Sequence, residues 1–253
     1  PKAVIVMMDG YVLGGGFGLA QACHIKVTSE KSRFAMPETE IGFFPDVGAT
    51  HFLSRLDEVG VYMALTGEQI SSSDALYLDL VDYHVPSERF AELEAALIAA
   101  PVLNPIEIQK IISSYITHPV ESELQKRADL INQHFGYQHL EEIEQSLAHT
   151  SNATDQEWAN KMRTILQQRP VMAKQTSLKL QQAGQNLSLE KCMQLERDLQ
   201  DVWLEQGDFI EGVRALIIDK DKNPQWRTEN AKFEKTLQQI WPVWTQQRIE
   251  NIT

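Results

Sequence analysis

The sequence lacks the marks of several protein classes, and each absence narrows what the chain can be. Its two cysteines, Cys23 and Cys192, lie far apart, so no disulfide framework is expected and both are predicted to be free thiols. No run approaches the roughly 18 consecutive apolar residues of a membrane span. With 35 acidic against 23 basic residues, the net charge of −12 favours neither nucleic acid nor an anionic membrane as a partner.

Common catalytic and cofactor motifs are missing as well. The seven histidines include no H-x-x-x-H or H-E-x-x-H pair, so no metal site is predicted. No G-x-S-x-G elbow supports a Ser-His-Asp triad. A dinucleotide loop is disfavoured because Leu19 stands where the third glycine of G-x-G-x-x-G belongs, and no G-K-[ST] follows for a nucleoside triphosphate. Any catalysis is therefore expected to use protein groups alone.

The composition, with 43% hydrophobic and 23% charged residues, is that of a globular protein. The pattern of hydrophobic residues changes once along the chain. Up to Pro86, short β-branched runs alternate with glycines and brief helical segments, which predicts an α/β region. Beyond it, long amphipathic segments predict helices. We therefore predict two regions, 1–86 and 87–253. Two capping-box spacings predict helix starts: Thr154 with Glu157, and Asp208 with Glu211.

A glycine-rich turn stands near the start of the chain. The apolar run 3–8 predicts a strand, and after Gly14, Gly15 and Gly16 the sequence predicts a helix over 17–23. Such a turn leaves backbone N–H groups unpaired at a helix N-terminus, where they can stabilise a developing negative charge. Tight backbone packing is the simpler reading, and taken alone it ranks above an oxyanion role for the Gly15 N–H.

Two carboxylates follow in apolar surroundings. Each has a structural reading, because Glu38 follows Pro37 in a turn and Asp46 follows Pro45 as a helix N-cap. Their neighbours favour a functional reading, since desolvation raises a carboxylate's pKa or strengthens its nucleophilicity. Such a pair suits general-base or nucleophilic work on an acyl group. The apolar neighbours are Met36, Ile41, Phe43 and Phe44.

Three strings combine these features: GYVLGGGFGL at 10–19, FAMPET at 34–39 and IGFFPDVG at 41–48. They resemble the crotonase (enoyl-CoA hydratase/isomerase) superfamily. Farther on, GDF at 207–209 and EGVRA at 211–215 are similar to the C-terminal signature of its 3-hydroxyisobutyryl-CoA hydrolase branch. The resemblance implies an α/β fold, namely the C-terminal part of a crotonase-like ββα spiral followed by a helical domain. It also implies that an N-terminal part of the enzyme precedes Pro1.

Single residues within these strings indicate the branch. Hydratases of the superfamily use two glutamates, and the position of the first is Gly18 here. The second aligns with Glu38, while Asp46 stands where hydratases usually have a small residue. The resemblance therefore implies a hydrolase that cleaves 3-hydroxyisobutyryl-CoA into 3-hydroxyisobutyrate and CoA, a step of valine catabolism. A hydratase or isomerase using Glu38 alone, and a non-catalytic acyl-CoA-binding or self-associating protein, stay open as alternatives.

The resemblance also implies residue roles. The Gly15 N–H, with Gly14 and Gly16 beside it, would polarise the thioester carbonyl in an oxyanion hole. Glu38 would act as nucleophile or as the base that activates water, and Asp46 would bind the substrate's 3-hydroxyl or orient the water. A second oxyanion donor would come from an earlier segment.

The other implications concern coenzyme A, partners and location. Coenzyme A is part of the acyl-CoA substrate, and no separate cofactor is expected. Three basic residues could contact the phosphates of coenzyme A. A position on a solvent-exposed helix face explains each of them equally well. These residues are Lys179, Arg214 and Lys220. Assembly into a homo-oligomer stays open. A eukaryotic protein of this kind is expected in the mitochondrial matrix, and a bacterial one in the cytoplasm.

Overall fold

The protein is represented by a computed structural model that describes residues 2–101, 104–227 and Lys235. The described residues form two compact units, each drawn from two separated segments of the chain. Unit 1 takes its residues from 1–35 and 69–128, and unit 2 takes its residues from 36–68 and 129–253. The division at residue 86 stays a prediction, and the two compact units partition the chain differently.

Strands are short and all occur early in the described chain, whereas helices occur throughout. The strands are β1 Ile5–Met8, β2 Tyr11–Leu13, β3 Ile25–Thr28, β4 Arg33–Ala35, β5 Ile70–Ser71 and β6 Tyr83–His84. The helices are α1 Gly15–Gln21, α2 Ala49–Leu53, α3 Asp57–Thr66, α4 Ser72–Tyr77, α5 Phe90–Ala99, α6 Pro105–Ser113, α7 Glu123–Lys126, α8 Ala128–Phe135, α9 Leu140–Ala148, α10 Ala153–Gln168, α11 Val171–Gly184, α12 Leu189–Gln206 and α13 Phe209–Val213. Two 3₁₀ turns, Glu38–Ile41 and Ser87–Arg89, and a π-helical turn, Arg214–Ile218, complete the described elements. No helix in the described ranges combines the length and the apolar character that a membrane crossing needs.

Unit 1 holds two three-stranded sheets. The first has the order β1-β3-β6 and is parallel throughout, with Ile5 opposite Ile25. Its core is an aliphatic cluster of buried residues contributed mainly by the strand β3 and by α5 and α6. The second sheet has the order β2-β4-β5, in which β2 and β4 are parallel and β5 is antiparallel.

Unit 2 is helical, and small residues set how closely its helices approach. A Cβ added to Gly60 of α3 would lie 1.9 Å from the Leu53 carbonyl oxygen at the end of α2. A Cβ added to Gly184 of α11 would lie 2.1 Å from the Thr50 carbonyl oxygen. Only glycine fits at either position. The core of unit 2 joins aromatic and aliphatic side chains from the 41–44 segment, α11 and α12 around the fully buried Trp203.

Several local predictions differ from the structure at their edges. The first strand is 5–8 rather than 3–8, and α1 begins at Gly15 rather than at residue 17. Thr154 is not an N-cap, because Asn152 caps α10 and accepts a hydrogen bond from the Thr154 N–H at 3.1 Å. Asp208 is at the predicted N-cap of α13 without capping it, since its carboxylate accepts from the Arg227 N–H instead. The predicted free thiols, Cys23 and Cys192, are confirmed.

Candidate active site

Glu38 begins a single 3₁₀ turn whose geometry is fixed at both ends. Its carbonyl accepts from the Phe43 N–H at 3.0 Å, and the Thr39 hydroxyl donates to the Leu65 carbonyl at 3.3 Å. Gly42 ends the turn at φ 68°, in the left-handed region. A Cβ there would lie 2.8 Å from that of Asp208, so both conformation and space require glycine.

The Glu38 side chain is buried, and one of its carboxylate oxygens has no hydrogen-bond partner among the described residues. The side chain is 8% exposed, and this oxygen is Oε2. Phe43 and Phe44 follow the turn and stack at 4.3 Å, and Trp203 meets Phe44 edge-on at 5.1 Å. The pKa of Glu38 is raised to about 8, chiefly by burial and to a smaller extent by the negative charges of Asp46 and Glu196. The direction of the shift is the one its apolar neighbours predict.

Asp46 lies in a left-handed turn and is not a helix N-cap. The following residues, Val47 and Gly48, have φ of 53° and 88°, and α2 begins only at Ala49. The predicted cap is therefore wrong, because the left-handed turn separates Asp46 from the helix. Its half-buried carboxylate accepts from the Gln200 amide at 2.8 Å, and burial raises its pKa. This carboxylate lines a cleft of about 680 Å³.

Helix α12 contacts this segment through three side chains on one face, at i, i+4 and i+7. Trp203 Nε1 donates to the Gly42 carbonyl at 2.7 Å, and Gln200 binds Asp46. Glu196 is 2% exposed and accepts from two backbone N–H groups, those of Gly48 at 2.8 Å and Thr50 at 2.9 Å. Burial also raises the pKa of Glu196.

Sequence reasoning missed these α12 residues. Their spacing places them on one helix face, but no local signal names a partner 154 residues earlier in the chain. Together they turn a strained loop into a fixed support for two candidate carboxyl groups. No group of three or more His, Cys, Asp or Glu side chains is arranged to hold a metal ion within the described part of the chain. Metal-free catalysis stays a prediction.

The glycine turn belongs to unit 1. Gly14 adopts φ 51°, and its N–H donates to the Ala35 carbonyl at 3.0 Å, so that donor is already used. Gly15 and Gly16 open α1 and are exposed, and their N–H groups have no partner among the described residues. An added Cβ would meet nothing within 4 Å at either position. Packing within the described chain therefore does not explain Gly15 or Gly16, contrary to the ranking made from the turn alone.

The three basic residues differ in their surroundings. Lys179 is exposed on α11, and Lys220 is exposed just after the π-helical turn. Arg214 already forms ion pairs with nearby residues, since its guanidinium lies 2.7 to 2.9 Å from three carboxylates. These belong to Glu211, Asp219 and Asp221. A phosphate would have to compete with three carboxylates for Arg214, which disfavours the predicted coenzyme A contact at this residue.

Comparisons with known proteins find relatives over nearly the whole chain. The family model for enoyl-CoA hydratase/isomerase matches residues 1–239. The mitochondrial 3-hydroxyisobutyryl-CoA hydrolase of Gallus gallus is 37% identical over 89% of this chain and 59% of its own length. Its Xenopus laevis counterpart is 34% identical over 91% of this chain and 60% of its own length. The chain therefore spans about 60% of the length of these curated relatives.

A solved structure gives the same result for the fold. The crystal structure of an enoyl-CoA hydratase from Rhodobacter sphaeroides 2.4.1 matches with a TM-score of 0.79 and 30% identity, over 92% of this chain and 67% of that one. The predicted α/β fold with a helical C-terminal region is thereby confirmed. Since the family model covers nearly the whole chain, the chain belongs to the enoyl-CoA hydratase/isomerase family.

Proposed function

We propose that the whole protein is an acyl-CoA thioester hydrolase that converts 3-hydroxyisobutyryl-CoA and water into 3-hydroxyisobutyrate and coenzyme A. The observation that carries the proposal is the combination of a buried Glu38, a polar Asp46 and a glycine at position 18. The names of the similar proteins, mitochondrial 3-hydroxyisobutyryl-CoA hydrolases, support the same reading. They also support the mitochondrial matrix as its location if the protein is eukaryotic.

Hydrolysis requires Glu38 in its ionised form. As a nucleophile, the carboxylate attacks the thioester carbonyl, the C–S bond breaks, and coenzyme A leaves as a thiolate that takes up a proton. Water then hydrolyses the mixed anhydride. As a base, the carboxylate instead takes a proton from the attacking water. Either route needs a donor that stabilises the oxyanion, a contribution of about 3 kcal/mol, and the Gly15 N–H is the donor that the family resemblance implies.

Asp46 supplies the preference for a hydroxylated acyl group. Its carboxylate accepts one hydrogen bond from Gln200 and retains further lone pairs. The substrate's 3-hydroxyl would donate to one of them. When that hydroxyl is missing, the Asp46 carboxylate is left without its partner, which disfavours the unhydroxylated ester. Sites built to bind a hydroxyl discriminate by about 10⁴-fold to 10⁵-fold.

Hydratase chemistry is the second candidate, and the protonation of Glu38 favours it. With a pKa of about 8, this carboxyl is mostly protonated at neutral pH, the form that a general acid requires. The two candidates predict opposite pH dependence. For hydrolysis, kcat/KM should rise about tenfold per pH unit and level off near pH 8, whereas for a general acid it should fall above that pH.

The test uses the whole protein with two substrates. Release of free thiol from 3-hydroxyisobutyryl-CoA is measured with a thiol reagent, and hydration of crotonyl-CoA is followed by its absorbance. We expect thiol release that Glu38→Gln abolishes and that the matched variant Glu40→Gln, on the exposed side of the same turn, retains. Hydration of crotonyl-CoA without thiol release would exclude the hydrolase. Equal binding of acyl-CoA by parent and Glu38→Gln, with no turnover in either assay, would favour a non-catalytic protein.

A further inference from the structure

The orientation of the Asp46 carboxylate depends on a single side chain. Its Oδ2 accepts from Gln200 Nε2 at 2.8 Å, and no other side chain of the described residues donates to it. The backbone beneath it is held independently, because Glu196 binds the N–H groups of Gly48 and Thr50. Position and orientation are therefore controlled separately: Glu196 fixes where the turn lies, and Gln200 fixes how the carboxylate points.

The chemistry of Gln200 suits this task. A neutral amide orients one carboxylate oxygen without neutralising the group, so the other oxygen remains a strong acceptor. A lysine or arginine at this position would pair with Asp46 and weaken its attraction for a substrate hydroxyl. Gln200 and Asp46 both line the cleft, so the oriented carboxylate borders space that a ligand can enter. The hydrogen bond also lowers the pKa of Asp46 against the effect of burial, which favours the accepting form.

We propose that Gln200 is a positioning residue that sets the preference of this protein for 3-hydroxyacyl groups, and that it acts through Asp46. The proposal rests on the proposed function for the identity of the substrate. It deepens that function by assigning part of the specificity to α12, a helix that contributes no group to the bond cleavage.

The test compares two thioesters that differ only in the hydroxyl, 3-hydroxyisobutyryl-CoA and isobutyryl-CoA. Gln200→Leu keeps much of the side chain's volume and removes the hydrogen bond. We expect the ratio of the two kcat/KM values to fall about tenfold, mainly through slower use of the hydroxylated ester. Gln185→Leu, the same substitution at an exposed position, should leave the ratio unchanged. In an Asp46→Asn background, Gln200→Leu should change the ratio by less than about twofold, because the residue through which it acts is already altered.

The outcomes separate the two proposals. An unchanged ratio in Gln200→Leu, or an equal fall with and without Asp46, overturns the role of Gln200 and leaves the hydrolase standing. Absence of thiol release in the parent overturns the hydrolase. In that case the ratio of dissociation constants for the same two esters, measured by calorimetry, still decides the role of Gln200. If the Gln200→Leu variant then has the same ratio of dissociation constants as the parent, the role of Gln200 is refuted.

Discussion

Replacing Glu38 by glutamine should make the stability of the protein less sensitive to pH. The carboxyl ionises near pH 4.5 in the unfolded chain and near pH 8 in the folded protein. Since the folded state keeps its proton longer, the stability associated with this group is complete below pH 4.5 and is lost as the pH rises through 8. A shift of this size corresponds to about 5 kcal/mol at high pH and to about 3 kcal/mol at pH 7. Glutamine is neutral throughout and escapes this loss.

The assay is urea unfolding of the whole protein and of Glu38→Gln at several values between about pH 5 and pH 9. Subtracting the parent's free energy of unfolding from that of the variant cancels the contributions of other titrating groups to first order. We expect this difference to rise by about 4 kcal/mol across the range, most of it by pH 7. The buried amide adds a cost that does not vary with pH, so the slope is the measure. Glu205→Gln, the same substitution at an exposed position of α12, is the matched control. A flat difference for Glu38→Gln would refute the reasoning from burial.

Three further substitutions test how the site is supported, each by its effect on the free energy of unfolding. Val47→Gly should stabilise the protein by up to about 1 kcal/mol, because a β-branched residue at φ 53° is strained, and a loss of stability would contradict this. Trp203→Phe should cost about 2 to 3 kcal/mol in thermal unfolding, since the buried Gly42 carbonyl loses its donor; a cost below about 1 kcal/mol would show that another donor replaces it. Gly60→Ala should cost at least about 2 kcal/mol, because its methyl group would overlap the Leu53 carbonyl, and a stability equal to the parent's would show that α2 and α3 can separate without cost.

The sequence predicts those features of the site that depend on neighbouring residues. The apolar residues around Glu38 in the sequence, which include Phe43 and Phe44, predict its desolvation, and its side chain is buried in the structure. The glycine turn is likewise read correctly as the start of a helix with unused N–H groups. The N-cap predicted at Asp46 is wrong for a local reason. Val47 adopts a left-handed conformation that β-branched residues avoid, so residue propensities do not predict it.

The supports from α12 depend on tertiary packing and could not be predicted. Glu196, Gln200 and Trp203 look like ordinary members of an amphipathic helix, and their partners are 146 to 161 residues earlier in the chain. Asp208 illustrates the same limit at a helix start. Its position is predicted by its spacing, but its carboxylate binds the Arg227 N–H, a group that the capping-box pattern does not include. Local sequence patterns predict the position of a polar residue within a helix or turn, whereas its hydrogen-bond partner depends on tertiary packing.

Three acidic side chains, Glu38, Asp46 and Glu196, are desolvated in one part of unit 2, and the pKa of each is raised by burial. A fold selected only for stability would place apolar residues here, because buried carboxyl groups that repel one another are unfavourable. Glu196 has a structural explanation, since both of its oxygens bind backbone N–H groups of a strained turn. Glu38 has none, for its Oε2 lacks a partner among the described residues. A destabilising carboxyl on a turn held by helix α12 is what a reactive group requires, because its position must persist although its environment opposes its charge.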